Sequence, residues 1–346
     1  MTGTVERQRP LIIVTRRFAV LLRSLLSAAA LYALWRELHG LRFAPLMSQV
    51  AAVGPARIGV ALAATAASFA LLGVVEVLAL RQTAVHGEHE VPVSSAMTTA
   101  FVANALSQSV GVAVLTGAAV RVRAYARHGL DAAAVGRVTA FVTITATLGL
   151  LAAGSVAIYA AGAGAMGGAA SFATRPTALL LAMAVAAYLA WSMLGADEGI
   201  GRGSWRLARP SPSLAAGQIL ISALDWLVTG VVLYAFMPAH TGLTLGLVLG
   251  AYMIAQTAGV TSHVPAGAGV FEVVAIAVLT HGAPDAPRTG IVVALVLFRL
   301  TYYVLPLCAA MVVAVAARSS NRVAPAARAN RRALVSPLER KVRHVA

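Results

Sequence analysis

Three carboxylates stand inside apolar runs where water is scarce: Glu76 in Leu-Leu-Gly-Val-Val-Glu, Asp225 in Ser-Ala-Leu-Asp-Trp, and Glu272 after Gly-Val-Phe. One arginine shares their situation, Arg299 in Leu-Phe-Arg-Leu-Thr-Tyr-Tyr, with Tyr302 and Tyr303 three and four residues on, a spacing that shares a helix face. A charge at mid-membrane costs about 2.5–3.5 kcal/mol on insertion scales, so such groups face a cavity or a partner and mark a pathway. Asp225 and Arg299 are therefore expected to satisfy one another or to share one polar network. Plainer readings stand beside this one. Glu272 follows Pro265-Ala-Gly-Ala-Gly and reads equally as a first-turn carboxylate favoured by the helix dipole. Tyr302 and Tyr303 read also as interfacial aromatics. Arg121 and Arg123 read either as phosphate contacts or as ordinary C-terminal helix charges. Asn104, Gln108 and Gln256 supply neutral hydrogen-bonding groups.

Catalytic and cofactor patterns are missing from the chain. It has no Gly-x-Ser-x-Gly elbow, no Gly-x-x-x-x-Gly-Lys phosphate loop and no His-Glu-x-x-His pair. His263 has no second His or Cys at ligand spacing, and Cys308 is the single cysteine, which leaves no disulfide framework or cysteine metal cluster. No enzyme activity, cofactor or metal is expected.

The elements that position these residues follow from composition. Of 346 residues, 59% are hydrophobic and 11% charged, with a mean hydropathy of +0.82. An ordinary globular domain has about 45–50% apolar residues, so this chain has too few polar side chains to cover a wet surface. A span needs about 20 mostly apolar residues. Eight such stretches recur, at 18–38, 58–80, 138–160, 177–194, 214–236, 244–262, 266–281 and 290–316. The expected fold is all-α and integral to the membrane, with about eight transmembrane helices. A ninth stretch, 94–120, is interrupted throughout by Asn104, Ser107, Gln108, Ser109, Gly111, Thr116 and Gly117. Broken backbone is tolerated at membrane depth only inside protein or along a wet cavity, so this stretch is expected to be a re-entrant helical hairpin.

Charge sets the orientation. The net charge is +15, from 27 Lys and Arg of which only Lys341 is lysine. These bases flank apolar runs, which argues against nucleic acid and for the positive-inside rule. With the N-terminus cytoplasmic and 94–120 re-entrant, segments 1–17, 81–93, 121–137, 196–212 and 318–346 hold twenty bases and the opposite loops five. The expected organisation is a basic cytoplasmic N-terminus over 1–17, a polytopic membrane domain over 18–316, and a basic cytoplasmic tail over 317–346 lying on anionic phospholipid headgroups. Within the membrane domain, Gln108-Ser-Val-Gly111 is echoed by Gln256-Thr-Ala-Gly259. An inverted repeat with halves 18–160 and 177–316 and a chance match among 30 glycines are both open readings.

Four blocks carry a resemblance. They are Asn104-Ala-Leu-Ser-Gln-Ser-Val-Gly111 with Leu115-Thr-Gly-Ala-Ala-Val-Arg-Val-Arg123, Ala223-Leu-Asp-Trp226, Ser262-His-Val-Pro-Ala-Gly-Ala-Gly-Val-Phe-Glu272, and Arg299-Leu-Thr-Tyr-Tyr-Val-Leu-Pro306. Together and in this order they resemble the transmembrane part of the lysylphosphatidylglycerol flippase/synthetase (multiple peptide resistance factor) family. The chain departs from that family at Glu76, where an aspartate is expected, and at Ala266 and Ala268, where Gly or Leu is usual. The resemblance implies a phospholipid flippase of the bacterial inner membrane, moving aminoacylated phosphatidylglycerol and contributing to cationic antimicrobial peptide resistance. Because the chain ends soon after Pro306 in a basic tail, a protein without the synthetase part is expected.

A flippase must carry a polar headgroup through hydrocarbon while the acyl tails stay in lipid. The expected lipid-binding groove combines Glu76, Asn104, Gln108, Arg121, Arg123, Asp225, Gln256, Glu272, Arg299, Tyr302 and Tyr303. Expected partners are membrane phospholipids, a separate aminoacyl-phosphatidylglycerol synthase and a second copy of the chain. A secondary transporter for a small polar solute and a noncatalytic membrane partner of a lipid synthase remain the alternatives.

Overall fold

The computed structural model describes residues 51, 53–83, 91–110, 113–161, 171–194, 199–201, 206–239, 241–262 and 264–316. The first expected span, His263, the Gly-rich 161–168 stretch beyond its first residue and the basic tail lie outside the described residues. Among the described residues the α-helices are, in order, α1 (Pro55–Thr83), α2 (Val93–Val110), α3 (Ala113–Tyr125), α4 (Ala132–Ala161), α5 (Ser171–Leu194), α6 (Pro212–Phe236), α7 (Leu245–Ser262), α8 (Val270–Gly282) and α9 (Arg288–Arg299). A π-helical turn, Leu300–Val304, continues α9 without a break into helix over 305–316.

Six of these helices are long and apolar enough to cross a membrane: α1, α4, α5, α6, α7 and the continuous Arg288–Ala316 helix. They coincide with six of the eight apolar stretches. The seventh, 266–281, does not form a full span. Its helix, α8, has 13 residues, about 20 Å at 1.5 Å per residue, which is short of a crossing. Backbone geometry cuts it down: Ala266, Gly267 and Gly269 all have positive φ, so the chain turns through Pro265–Gly267 before α8 can start.

The stretch 94–120 folds into two helices rather than one. Ser95 at the start of α2 hydrogen-bonds His128, just past α3, at 3.0 Å, and a side chain added at Gly117 would meet Ser107 Oγ at 2.8 Å. These two cross-links place residues 95 and 107 opposite 128 and 117, so α2 and α3 run antiparallel as a hairpin with both outer ends together.

Helices in lipid gain little from apolar burial against one another, and close packing of small residues takes over that task. The α4–α6 seam shows it. A Cβ on Gly149 would sit 2.1 Å from Ser222 Oγ and 2.5 Å from the Ser222 backbone, so only glycine lets the two helices approach this closely. Beside that contact Gln218 donates to Thr145 Oγ1 at 2.8 Å, and Trp226 Nε1 donates to the Ala146 carbonyl at 2.9 Å. The seam orients α6 so that Asp225 faces α1.

Candidate functional site

Two inward-facing ion pairs and one hydroxyl cluster account for the buried acids. Glu76 is fully buried on α1 and Arg121 nearly so on α3. Arg121 donates from Nε to Glu76 Oε1 at 2.8 Å and from Nη2 to Oε2 at 2.7 Å, and Tyr125 OH donates to Oε1 at 2.7 Å. Such a two-pronged guanidinium–carboxylate pair satisfies both charges with fixed geometry. The pair pins the second arm of the hairpin to α1. Arg121 is thus held by protein, while Arg123, two residues on, is exposed.

The second pair lies where the chain breaks. Arg299 Nε donates to Glu272 Oε1 at 2.6 Å, and Nη1 donates to the Ala266 carbonyl at 2.8 Å. Glu272 Oε2 accepts the Gly269 amide at 2.7 Å, so the same carboxylate also caps α8. Glu272 therefore takes the first-turn position and pairs with Arg299 at the same time. The Arg299 guanidinium lies 5.1 Å from the Phe271 ring centroid and 4.5 Å from that of Tyr303, within cation–π range. Arginine suits this place because its planar fork bonds and stacks at the same time.

Arg299 does not pair with Asp225, contrary to the expectation from sequence. Asp225 accepts from Ser68 on α1; Ser68 Oγ lies 2.8 Å from Tyr302 OH, and Thr229 Oγ1 lies 3.1 Å from the same hydroxyl. The π turn explains the separation. Tyr302 stacks on Phe298 at 5.7 Å and turns to the hydroxyl cluster, whereas Tyr303 turns over Arg299. Each residue of a π turn advances by less than in an α-helix, which rotates Tyr302 off the face of Arg299, while the Tyr302 and Tyr303 rings stay in contact at 5.5 Å.

The remaining expected residues are more peripheral. Asn104 spends its amide on the Ala100 carbonyl at 2.8 Å within its own helix. Gln256 is half-buried on α7, three residues before Gly259, which packs against Gly267 of the turn at 3.1 Å from where a Gly267 side chain would begin. Gln108 is half-buried near the tip of α2. Among the described residues, two buried side-chain atoms have no hydrogen-bond partner: Gln108 Oε1 and Arg299 Nη2. The first arm of the hairpin, α2, packs against both the Pro265–Gly267 turn and the π turn after Arg299.

Ser68, Thr229 and Tyr125 join the polar contacts around the buried acids without having been singled out from the sequence. A signal existed for part of this set. Gln218, Ser222, Asp225 and Thr229 follow at steps of four, three and four, which is one helix face, and all four are buried. No cluster of three or more His, Cys, Asp or Glu suited to a metal occurs among the described residues.

Comparison with known proteins places this architecture. The family described as the lysylphosphatidylglycerol synthase TM region matches residues 20–310. The uncharacterized protein slr0712 of Synechocystis is 28% identical over 231 residues, 62% of this chain and 66% of that protein. The inner membrane protein YbhN of Escherichia coli is 27% identical over 227 residues, 65% of this chain and 70% of that protein. A phosphatidylglycerol lysyltransferase of Staphylococcus haemolyticus is 30% identical over 94 residues, 27% of this chain and 11% of that protein.

Proposed function

The chain belongs to the lysylphosphatidylglycerol synthase TM region family, and from that membership we propose that it moves a phospholipid between leaflets, with aminoacylated phosphatidylglycerol of the lysyl type as substrate. It is a multi-pass membrane protein. The observation that carries the reading is the packing of α2 against the Pro265–Gly267 turn and the π turn, together with two buried side-chain atoms on these elements, Gln108 Oε1 and Arg299 Nη2, that have no partner among the described residues. Interrupted helices meeting at depth are how transporters build a polar site in lipid.

In this reading the headgroup enters where these elements pack. Arg299 Nη2 takes a lipid phosphate oxygen, and Gln108 Oε1 takes a donor from the glycerol or the amine. Glu272 is already bonded to Arg299, so a lysyl ammonium engages it by sharing or displacing that contact. The α2–α3 hairpin is re-entrant from the cytoplasmic face, where Arg123 and Arg127 are exposed to anionic headgroups. Both termini are cytoplasmic, and the membrane is a bacterial inner membrane. Lipid synthesis falls to a separate synthase, and the chain itself carries no catalytic role.

The test is a leaflet-resolved assay of the purified chain in liposomes with labelled lysyl- and plain phosphatidylglycerol. Movement of either lipid is expected, and Glu272→Gln should slow the lysyl lipid more than the plain one. Uptake of a small polar solute without lipid movement would overturn the reading.

A further inference from the structure

We propose that Asp225 is a proton-binding site, loaded and unloaded through the hydroxyls of Tyr302 and Ser68. Among the described residues, three acids are buried: Glu76, Asp225 and Glu272. Glu76 is bonded to Arg121 and Glu272 to Arg299, so each of those carboxylates has a cation. The side-chain partner of Asp225 is instead the Ser68 hydroxyl, and a carboxylate held away from water without a cation neutralises by taking a proton.

The surroundings of Asp225 come from every element packed on α6. Ser68 reaches it from α1 and Tyr302 adjoins through Ser68 from the π turn. Tyr252 of α7 borders Trp226, with ring centroids 6.5 Å apart. Thr145 of α4 and Tyr188 of α5 are spent on Gln218, two turns away along α6. Arg299 is the charged group from α9, and it is held on Glu272. Among the described residues, the cluster around Asp225 is therefore made of hydroxyls.

Hydroxyls can each donate and accept, and these form a connected chain. Ser68 Oγ lies 2.8 Å from Tyr302 OH and 3.3 Å from Thr229 Oγ1, and Thr229 Oγ1 lies 3.1 Å from Tyr302 OH. On loading, a hydronium ion gives one proton to the Tyr302 oxygen and leaves as water, Tyr302 passes its own proton to Ser68, and Ser68 passes its own to the Asp225 carboxylate. Each hydroxyl ends with one proton and the carboxylate with one more; unloading reverses each transfer. Ser68, Asp225 and Tyr302 sit on three different helices, α1, α6 and the α9 continuation, so the charge on Asp225 bears on how those helices pack.

Infrared difference spectroscopy on the purified full chain in lipid nanodiscs, between acidic and alkaline buffer, tests this without any lipid movement. A carboxylic C=O band should appear on the acid side and vanish in Asp225→Asn. Tyr302→Phe should keep the band and slow its shift on exchange into heavy water. Should Asp225→Asn not fold, Asp225→Glu serves, with a displaced band expected. A band unaltered by substitution at Asp225, or none in the native chain, overturns the proposal. So does a band removed by sodium at constant pH, which would make the site one for a metal cation.

Discussion

Arg121 and Glu76, 45 residues apart in sequence, meet inside the fold in a two-pronged ion pair with bonds of 2.8 and 2.7 Å. Together with the Tyr125 hydroxyl on the same carboxylate, this pair ties the second arm of the hairpin to α1. Leaving one member of a buried pair alone strands a charge, at a cost of about 3–5 kcal/mol. Arg121→Leu should therefore lower the thermal midpoint of the detergent-solubilised protein sharply, and adding Glu76→Leu should restore much of it. A double variant no more stable than the single one would assign the loss to packing.

The second pair makes a sharper forecast because two carboxylates compete for the role of partner. Arg299→Leu should be rescued by Glu272→Leu and not by Asp225→Asn, since Arg299 is bonded to Glu272. Measured as folded yield by size-exclusion chromatography, rescue by the Asp225 change alone would contradict the pairing. Arg299→Lys should also lose folded protein, because an ammonium cannot hold Glu272, the Ala266 carbonyl and two aromatic faces at once.

Hairpin geometry can be read by labelling. Ser94 and Arg127 are exposed near the two outer ends of the α2–α3 hairpin, and Cys308, the native cysteine, is exposed as well. In a Cys308→Ser background, single cysteines at 94 and 127 should react with an impermeant reagent from the same side of the membrane. Reaction from opposite sides would mean that 94–120 crosses.

Two small residues make opposite predictions. Gly149→Ala places a methyl group against Ser222 backbone and should destabilise by about 1–3 kcal/mol, as overpacking does. Ala266 holds φ at 55°, a region costly for any residue with a Cβ, so Ala266→Gly should leave the thermal midpoint unchanged or raise it. A large drop for Ala266→Gly would show that its methyl group packs more favourably than its backbone is strained.

Much of this protein is legible in its residues alone. Hydropathy marks the long helices, because a span must be apolar over a length the bilayer sets. The polar and glycine residues of 94–120 announce a break there, and three acids and an arginine in apolar runs announce a site. What the residues cannot announce is who pairs with whom. Glu76 with Arg121 and Glu272 with Arg299 are contacts between helices, chosen by how those helices dock, and no local spacing encodes them. The division between Tyr302 and Tyr303 belongs to the tertiary structure too, since one π turn sends the first to Ser68 and the second over Arg299. Hydrophobic length is a property of a segment, and so it can be read from that segment; satisfaction of a buried charge is a property of two segments, and exists only once both are in place.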